Sequence, residues 1–225
     1  MKENICTIPV NEIFEVSDGC PICRMRNLIE SRCIDYITGA AMMEPDIRVI
    51  TNKSGFCTRH FRDMLNLGKQ RLPICLMLVS HVAETERQML AKPDSASVKK
   101  LEALEESCYV CDYIESNLAR ALDTVYRSYR DEEDFRKLFA AQPQLCLPHY
   151  RRMVAESKKT LGRQYGAFCE KSHELALNQS KLLRSQLKQF EDSFDHRNAG
   201  VPMPAEARDS LERTVEFLTG RSPKQ

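Results

Sequence analysis

Four short phrases hold the chemistry of this 225-residue chain: Cys20-Pro-Ile-Cys23, Cys57-Thr-Arg-His60, Cys108-Tyr-Val-Cys111 and Cys146-Leu-Pro-His149. Cys-x-x-Cys lets two sulfurs converge on one ion from a single turn, and Cys-x-x-His does the same with one sulfur and one imidazole nitrogen. Four ligands of these types are what tetrahedral zinc favours. Taken in chain order, the phrases predict two Cys3His zinc sites: Cys20, Cys23, Cys57 and His60, then Cys108, Cys111, Cys146 and His149. There are 33 residues between Cys23 and Cys57 and 34 between Cys111 and Cys146. Those intervals exceed ordinary finger spacing, so each ion is expected to join distant elements. The same ligand order twice over argues against chance. Disulfides need an oxidising compartment, and no signal peptide is read at the start, so a cytoplasmic setting is expected.

Four ligands per set predict closed, structural ions, because a catalytic zinc keeps one position open. No catalytic residue is assigned. Three thiolates on a divalent ion leave a charge of minus one. Arg59 and Arg62 beside His60, and Arg151 and Arg152 after His149, are candidates to hydrogen-bond the sulfurs; the alternative is a solvated basic helix face.

The elements that must position these phrases read as helices. Glycine is scarce at 8 and tryptophan absent, and Leu, Ala, Glu, Arg and Lys, all good helix formers, are plentiful. Residues 1–19, with Ile8-Pro9-Val10, read as an extended segment. Met25, Leu28, Ile29, Cys33, Tyr36 and Ile37 recur at helical spacing up to Gly39. Residues 44–55 read as a loop. Cys57 opens a helix to about residue 67, and a third, about 70–91, is expected to turn Leu72, Cys75, Leu76, Val79, Val82 and Ala83 inward. Lys92-Pro93-Asp94-Ser95 reads as a turn between halves. The second half repeats the plan: a stripe Ile114, Leu118, Ala121, Leu122, Val125 and Tyr129, a short helix before Pro143, a helix from Cys146, and a long helix of about 160–196. A last helix over 205–219 is expected to bury Leu211, Val215 and Leu218. The expected fold is all-α: two pseudo-twofold-related three-helix repeats, each clasped by a Cys3His zinc site, plus a C-terminal helix. The expected segments are 1–19, 20–92, 93–200 and 201–225.

The repeat extends past the ligands. Leu67-Gly-Lys69-Gln70 answers Leu161-Gly-Arg163-Gln164, Cys75 answers Cys169, and His81 answers His173 with a two-residue slip. If both sets faced one cleft, Lys69, Gln70, Cys75, His81, Arg163, Gln164, Cys169 and His173 would suit an anionic or planar ligand. The plainer reading is a helix-to-helix turn in which glycine supplies a positive φ, with buried thiols behind it. Cys6 and Cys33 have no counterparts and read as core or incidental.

Formal net charge is +1 with 29% charged residues, which gives no global call for nucleic acid or membrane. No apolar run approaches a membrane span. Phosphate-cradling loops, a Gly-x-Ser-x-Gly elbow and His-Glu-x-x-His are missing from the sequence.

Thr7-Ile-Pro-Val-Asn11, Cys20-Pro-Ile-Cys23, Gly55-Phe-Cys-Thr-Arg-His60 and the later Cys108-x-x-Cys111 with Cys146-x-x-His149 resemble an uncharacterised bacterial family. It is found mainly in Firmicutes, and some members carry a transporter substrate-binding label. The resemblance covers nearly the whole chain. It implies a cytosolic bacterial protein and brings no activity and no catalytic residue. The leading expectation is a zinc-binding helical protein with two structural ions that binds a protein partner or small ligand. A thiol redox or metal sensor is the alternative, and an enzyme or carrier using a cleft between the repeats is a second.

Overall fold

The computed structural model describes residues 8–39, 41, 44–66, 71–198 and 200–221. Among these residues the regular elements are all helices, and no strand occurs. Cys6, Lys69 and Gln70 lie outside them. The elements are α1 (Ile8–Glu15), α2 (Pro21–Thr38), α3 (Pro45–Ser54), α4 (Thr58–Asn66), α5 (Arg71–Met89), α6 (Ser95–Glu105), α7 (Tyr109–Asp131), α8 (Glu133–Ala140), α9 (Leu147–Leu161), α10 (Tyr165–Asp192), α11 (Ala205–Arg208) and α12 (Ser210–Thr219). The order clasp-bearing helix, short helix, second clasp-bearing helix, long helix occurs in α2–α5 and again in α7–α10.

Two segments differ from expectation. Residues 8–15 form a helix, not an extended segment: Pro9 falls in the first turn, where N–H groups lack intrahelical acceptors anyway. Val10 and Phe14, one turn apart, are both buried. Residues 45–54 form α3 where a loop was expected. Pro45 opens it, Asp46 lies in its first turn and Lys53 in its last, charges that match the helix dipole. Gly55, at φ +58°, ends it with its N–H on the Thr51 carbonyl.

The chain forms two compact units. One comprises Met1–Met25 with Arg120–Gln225, the other Arg26–Ala119. In the first unit the core is aromatic. Phe139 lies 5.3 Å from Tyr129 and 5.0 Å from Phe168, centroid to centroid, and Phe14 lies 5.0 Å from Phe135. Leu122, Val125 and Leu161 are fully enclosed. In the second unit Cys33, Ile34 and Ile37 of α2 pack with Phe56, Met64 of α4, Ile74 and Met77 of α5, and Val110 and Ile114 of α7. Asp94 caps α6 by accepting the Ser97 N–H at 2.8 Å.

Two stripes face the other way from expectation. On α5 the buried residues are Ile74 and Met77, while Leu72, Cys75, Leu76, Val79, Val82 and Ala83 are exposed. On α12 Phe217 is buried, and Leu211, Val215 and Leu218 are exposed. The expected last helix is also split into α11 and α12. Where apolar residues cover more than half a helix, periodicity fixes the existence of a stripe but not which arc meets the core.

Phe168→Ala removes a ring touched by Tyr126, Tyr129 and Phe139. Chemical denaturation should show a loss of about 3–5 kcal/mol. A loss under about 1 kcal/mol, the level of a typical surface change, would mean the cluster is not the core of that unit.

Candidate metal centres

Each ligand phrase sits at the start of a helix. The carbonyl of Cys20 accepts the N–H of Arg24, Cys57 that of Phe61, Cys108 that of Asp112 and Cys146 that of Tyr150, at 2.8–3.2 Å. The first cysteine of each phrase therefore occupies the N-cap, and the second ligand, Cys23, His60, Cys111 or His149, lies three residues on, in the first turn. That is the spacing at which a capping box brings two side chains together. Here the pair is made of side chains that could ligate a metal, at the helix end whose N–H groups and dipole favour thiolate.

The eight side chains gather into two clusters: Cys20, Cys23, Cys146 and His149, and Cys57, His60, Cys108 and Cys111. The halves are exchanged relative to the expected chain-order pairing. The first Cys-x-x-Cys meets the last Cys-x-x-His, and the inner two phrases meet each other. Each unit thus contains one complete cluster, with ligands from both halves of the sequence.

Both clusters fit a tetrahedral ion. Sulfurs at ~2.3 Å and a nitrogen at ~2.0 Å from one centre lie roughly 3.5–3.8 Å from one another. In the first cluster His149 Nδ1 is 3.7 Å from Cys20 Sγ, 3.3 Å from Cys23 Sγ and 3.1 Å from Cys146 Sγ, and the Cys23 and Cys146 sulfurs are 3.6 Å apart. In the second, His60 Nδ1 is 3.3 Å from Cys57 Sγ, 3.2 Å from Cys108 Sγ and 3.6 Å from Cys111 Sγ. None of the described cysteines is in a disulfide.

The electrostatics of the ligands point the same way. Burial raises the Cys108 thiol pKa, but hydrogen bonding to His60 and to the Cys57 and Cys111 backbone outweighs it, leaving about 6. Burial and the neighbouring Cys108 push Cys111 up to about 12. In the first cluster Cys20 falls well below its ordinary value against the pull of burial, while its hydrogen bond to Cys20 heads the causes that raise Cys146 to about 12. Cys20 and Cys108 are thus eased toward ionisation, while Cys146 and Cys111 are held back by hydrogen bonds and like charge from their neighbours. Three thiolates at this separation call for a cation among them.

The second cluster has an outer layer that the sequence did not reveal. His60 Nε2 donates to Glu30 Oε1 at 2.8 Å, which leaves Nδ1 to face the sulfurs. Arg26 and Arg59 hold Glu30 at 3.4 and 3.2 Å, and Arg59 also reaches Asp63 at 3.6 Å. Burial raises the Glu30 pKa, but His60 and the two arginines bring it below the ordinary carboxylate value. A carboxylate behind a ligating imidazole sets its tautomer and orientation. The connection carrying Cys57 is tied to the one carrying Cys108. Tyr109 N–H donates to the Gly55 carbonyl at 3.0 Å, and the Ser107 hydroxyl to the Ser54 carbonyl at 2.6 Å. A Cβ at Gly55 would lie 2.9 Å from Leu104 Cδ1.

Around the first cluster, Gly220 ends α12 in a left-handed conformation, its carbonyl 3.6 Å from Cys23 Sγ. A Cβ there would lie 3.4 Å from Cys146 Sγ. Arg24 donates to the Ile13 carbonyl and to Gln142 Oε1 at 2.9 and 3.1 Å. Burial lowers its pKa, and Asp18, Cys20 and Cys23 act against that. Its charge opposes the excess negative charge of three thiolates around a divalent ion. Arg152 pairs with Glu156 at 3.0 Å, and Arg151 is exposed.

A family model described as a family of unknown function (DUF6062) matches residues 1–225. The chain belongs to that family. No curated protein and no solved structure matches it.

Of the described residues considered for a ligand pocket, Cys75 and His81 belong to the second unit and Arg163, Gln164, Cys169 and His173 to the first. Arg163 and Gln164 form a 3-10 turn between α9 and α10, next to Gly162 at φ +52°, which caps α9. That is a helix junction. Cys169 and His173 lie on α10, where His173 Nδ1 is 3.4 Å from the Tyr150 hydroxyl. Cys75 lies exposed on α5, and His81 packs beside Gly55. Cys33 is a buried core thiol whose pKa burial raises to about 12.

The exchanged pairing is open to direct measurement. Elemental analysis should find one equivalent of metal lost from Cys20→Ser/Cys146→Ser and both from Cys20→Ser/Cys57→Ser; the reverse result restores chain-order pairing. Glu30→Ala should weaken the second cluster by about 10–100-fold in chelator competition and leave the first unchanged. Equal affinities in the variant and the parent would remove Glu30 from that role.

Proposed function

We propose that this is a zinc protein in which each ion staples two helix N-termini, and that it acts by binding, with no chemistry at the metal. The observation that carries this reading is the closed ligand set: three sulfurs and one imidazole nitrogen per cluster, at tetrahedral separations. No ligand position is left for water or substrate, as a catalytic zinc requires. Zinc is favoured over harder cations because the donors are sulfur and imidazole. In each unit the ion would tie segments far apart in the chain, so its binding energy would become folding energy.

A second reading, a thiol switch, is favoured by one difference. All four ligands of the first cluster are buried, whereas in the second Cys57 is half-buried and Cys111 exposed. Two thiolates that give an electron pair to a peroxide become a disulfide, and the ion is then released.

Cobalt reconstitution should give the intense sulfur-to-cobalt charge-transfer absorption of tetrahedral thiolate sites at two equivalents per chain. Strong chelation should then sharply lower the melting temperature. An unchanged melt after both ions are removed would end the staple reading. Mild peroxide should release one equivalent, from the second cluster, if the switch operates; retention of both leaves the staple alone.

A further inference from the structure

The outward side of α5 is apolar along most of its length. Leu72 and Val79 are 69% and 63% exposed. Cys75, Leu76, Val82 and Ala83 share their arc of the helix and are exposed too. Cys75, Val79, Val82 and Ala83 of this side, with Ile74 and Leu78 of the same helix and Leu65 of α4, line an open groove of about 730 Å³. A continuous exposed patch of this kind marks an interaction surface, where scattered apolar residues would not.

Among the described residues that line it, the groove is charged only at its ends. Arg71 lines one end and Glu86 the other, and both are exposed. They are 15 positions apart, roughly 22 Å along a helix axis. The nearby Glu84 and Arg87 pair with each other at 2.7 Å. Arg71 and Glu86 flank the apolar stretch symmetrically, with its midpoint beside Val79.

A surface with a positive end, an apolar middle and a negative end matches itself when turned through a two-fold axis at its centre. We propose that this face is a homodimer interface, in which α5 packs antiparallel against α5 of a second copy about an axis beside Val79. In that register Arg71 of each copy meets Glu86 of the other, twice over, and Cys75 meets Val82. A parallel pairing would set Arg71 against Arg71 and Glu86 against Glu86, which like-charge repulsion disfavours. A partner of different sequence would have no reason to match charges placed evenly about the centre. The inference rests on α5 alone and stands or falls separately from the identity of the metal.

Sedimentation velocity on the full metal-loaded chain, over a hundredfold range of concentration, tests it. The parent should approach twice the chain mass at the upper end. Val79→Glu should be monomeric throughout, with unchanged circular dichroism and metal content, because the side chain it replaces is exposed. Arg71→Glu and Glu86→Arg should each weaken self-association by roughly tenfold, and the double reversal should restore it. A parent that stays monomeric, or a Val79→Glu variant that still dimerises, overturns the interface. A double reversal that fails to recover overturns the antiparallel register. The two charge variants alter exposed residues only and so report on the interface even if Val79→Glu misfolds.

Discussion

Repulsion among closely held thiolates is the constraint on which the architecture depends. Each cluster brings three sulfurs and an imidazole nitrogen within 4.8 Å of one another. Burial and like charge raise the Cys111 thiol pKa, while hydrogen bonding lowers those of Cys20 and Cys108. The fold concentrates like charge and offsets part of it with helix N-termini, where backbone N–H groups and dipoles favour anions. A divalent ion would supply the rest. The segments joined this way are the N-terminal ends of α2 and α9 in the first cluster and of α4 and α7 in the second.

The two clusters differ in their surroundings. The first is wholly buried and is approached by the C-terminal end of α12 through Gly220. The second is backed by Glu30, itself held by Arg26 and Arg59, and is open at Cys111. Three thiolates, a divalent ion and the Glu30 and Asp63 carboxylates would sum to a charge of minus three, of which those two guanidinium groups offset two. Arg24 provides the corresponding positive charge for the first. Burial of a net charge is costly unless it is paired, and both environments answer that requirement locally.

Among the described residues no helix is long and apolar enough to cross a membrane. The aromatic core of the first unit and the mixed aliphatic, sulfur-bearing and aromatic core of the second hold the helices that carry the ligands. Among the described residues, the outer side of α5 is a conspicuous exposed apolar surface.

The ligand phrases were legible in the sequence because Cys-x-x-Cys and Cys-x-x-His are local: N-cap and first-turn positions follow from the backbone of one turn. Helix content was legible for the same reason, through composition and periodicity, and α2, α4, α5, α7, α9 and α10 lie close to where the apolar spacing puts them. Helices α1 and α3 were hidden by proline, which marks a helix start as readily as a break. Partnership was not legible. Four half-sites of two types pair in more than one way, and an 18-residue helix, roughly 27 Å long, follows the first of them, so nearness in sequence says little about nearness in space. Packing within each unit selects the nested arrangement, first with last and second with third. It also decides which arc of α5 meets the core, and it brings Glu30, twenty-nine residues before Arg59 and thirty before His60, behind the imidazole. Those outcomes depend on long-range contacts, and no local pattern of residue types encodes them.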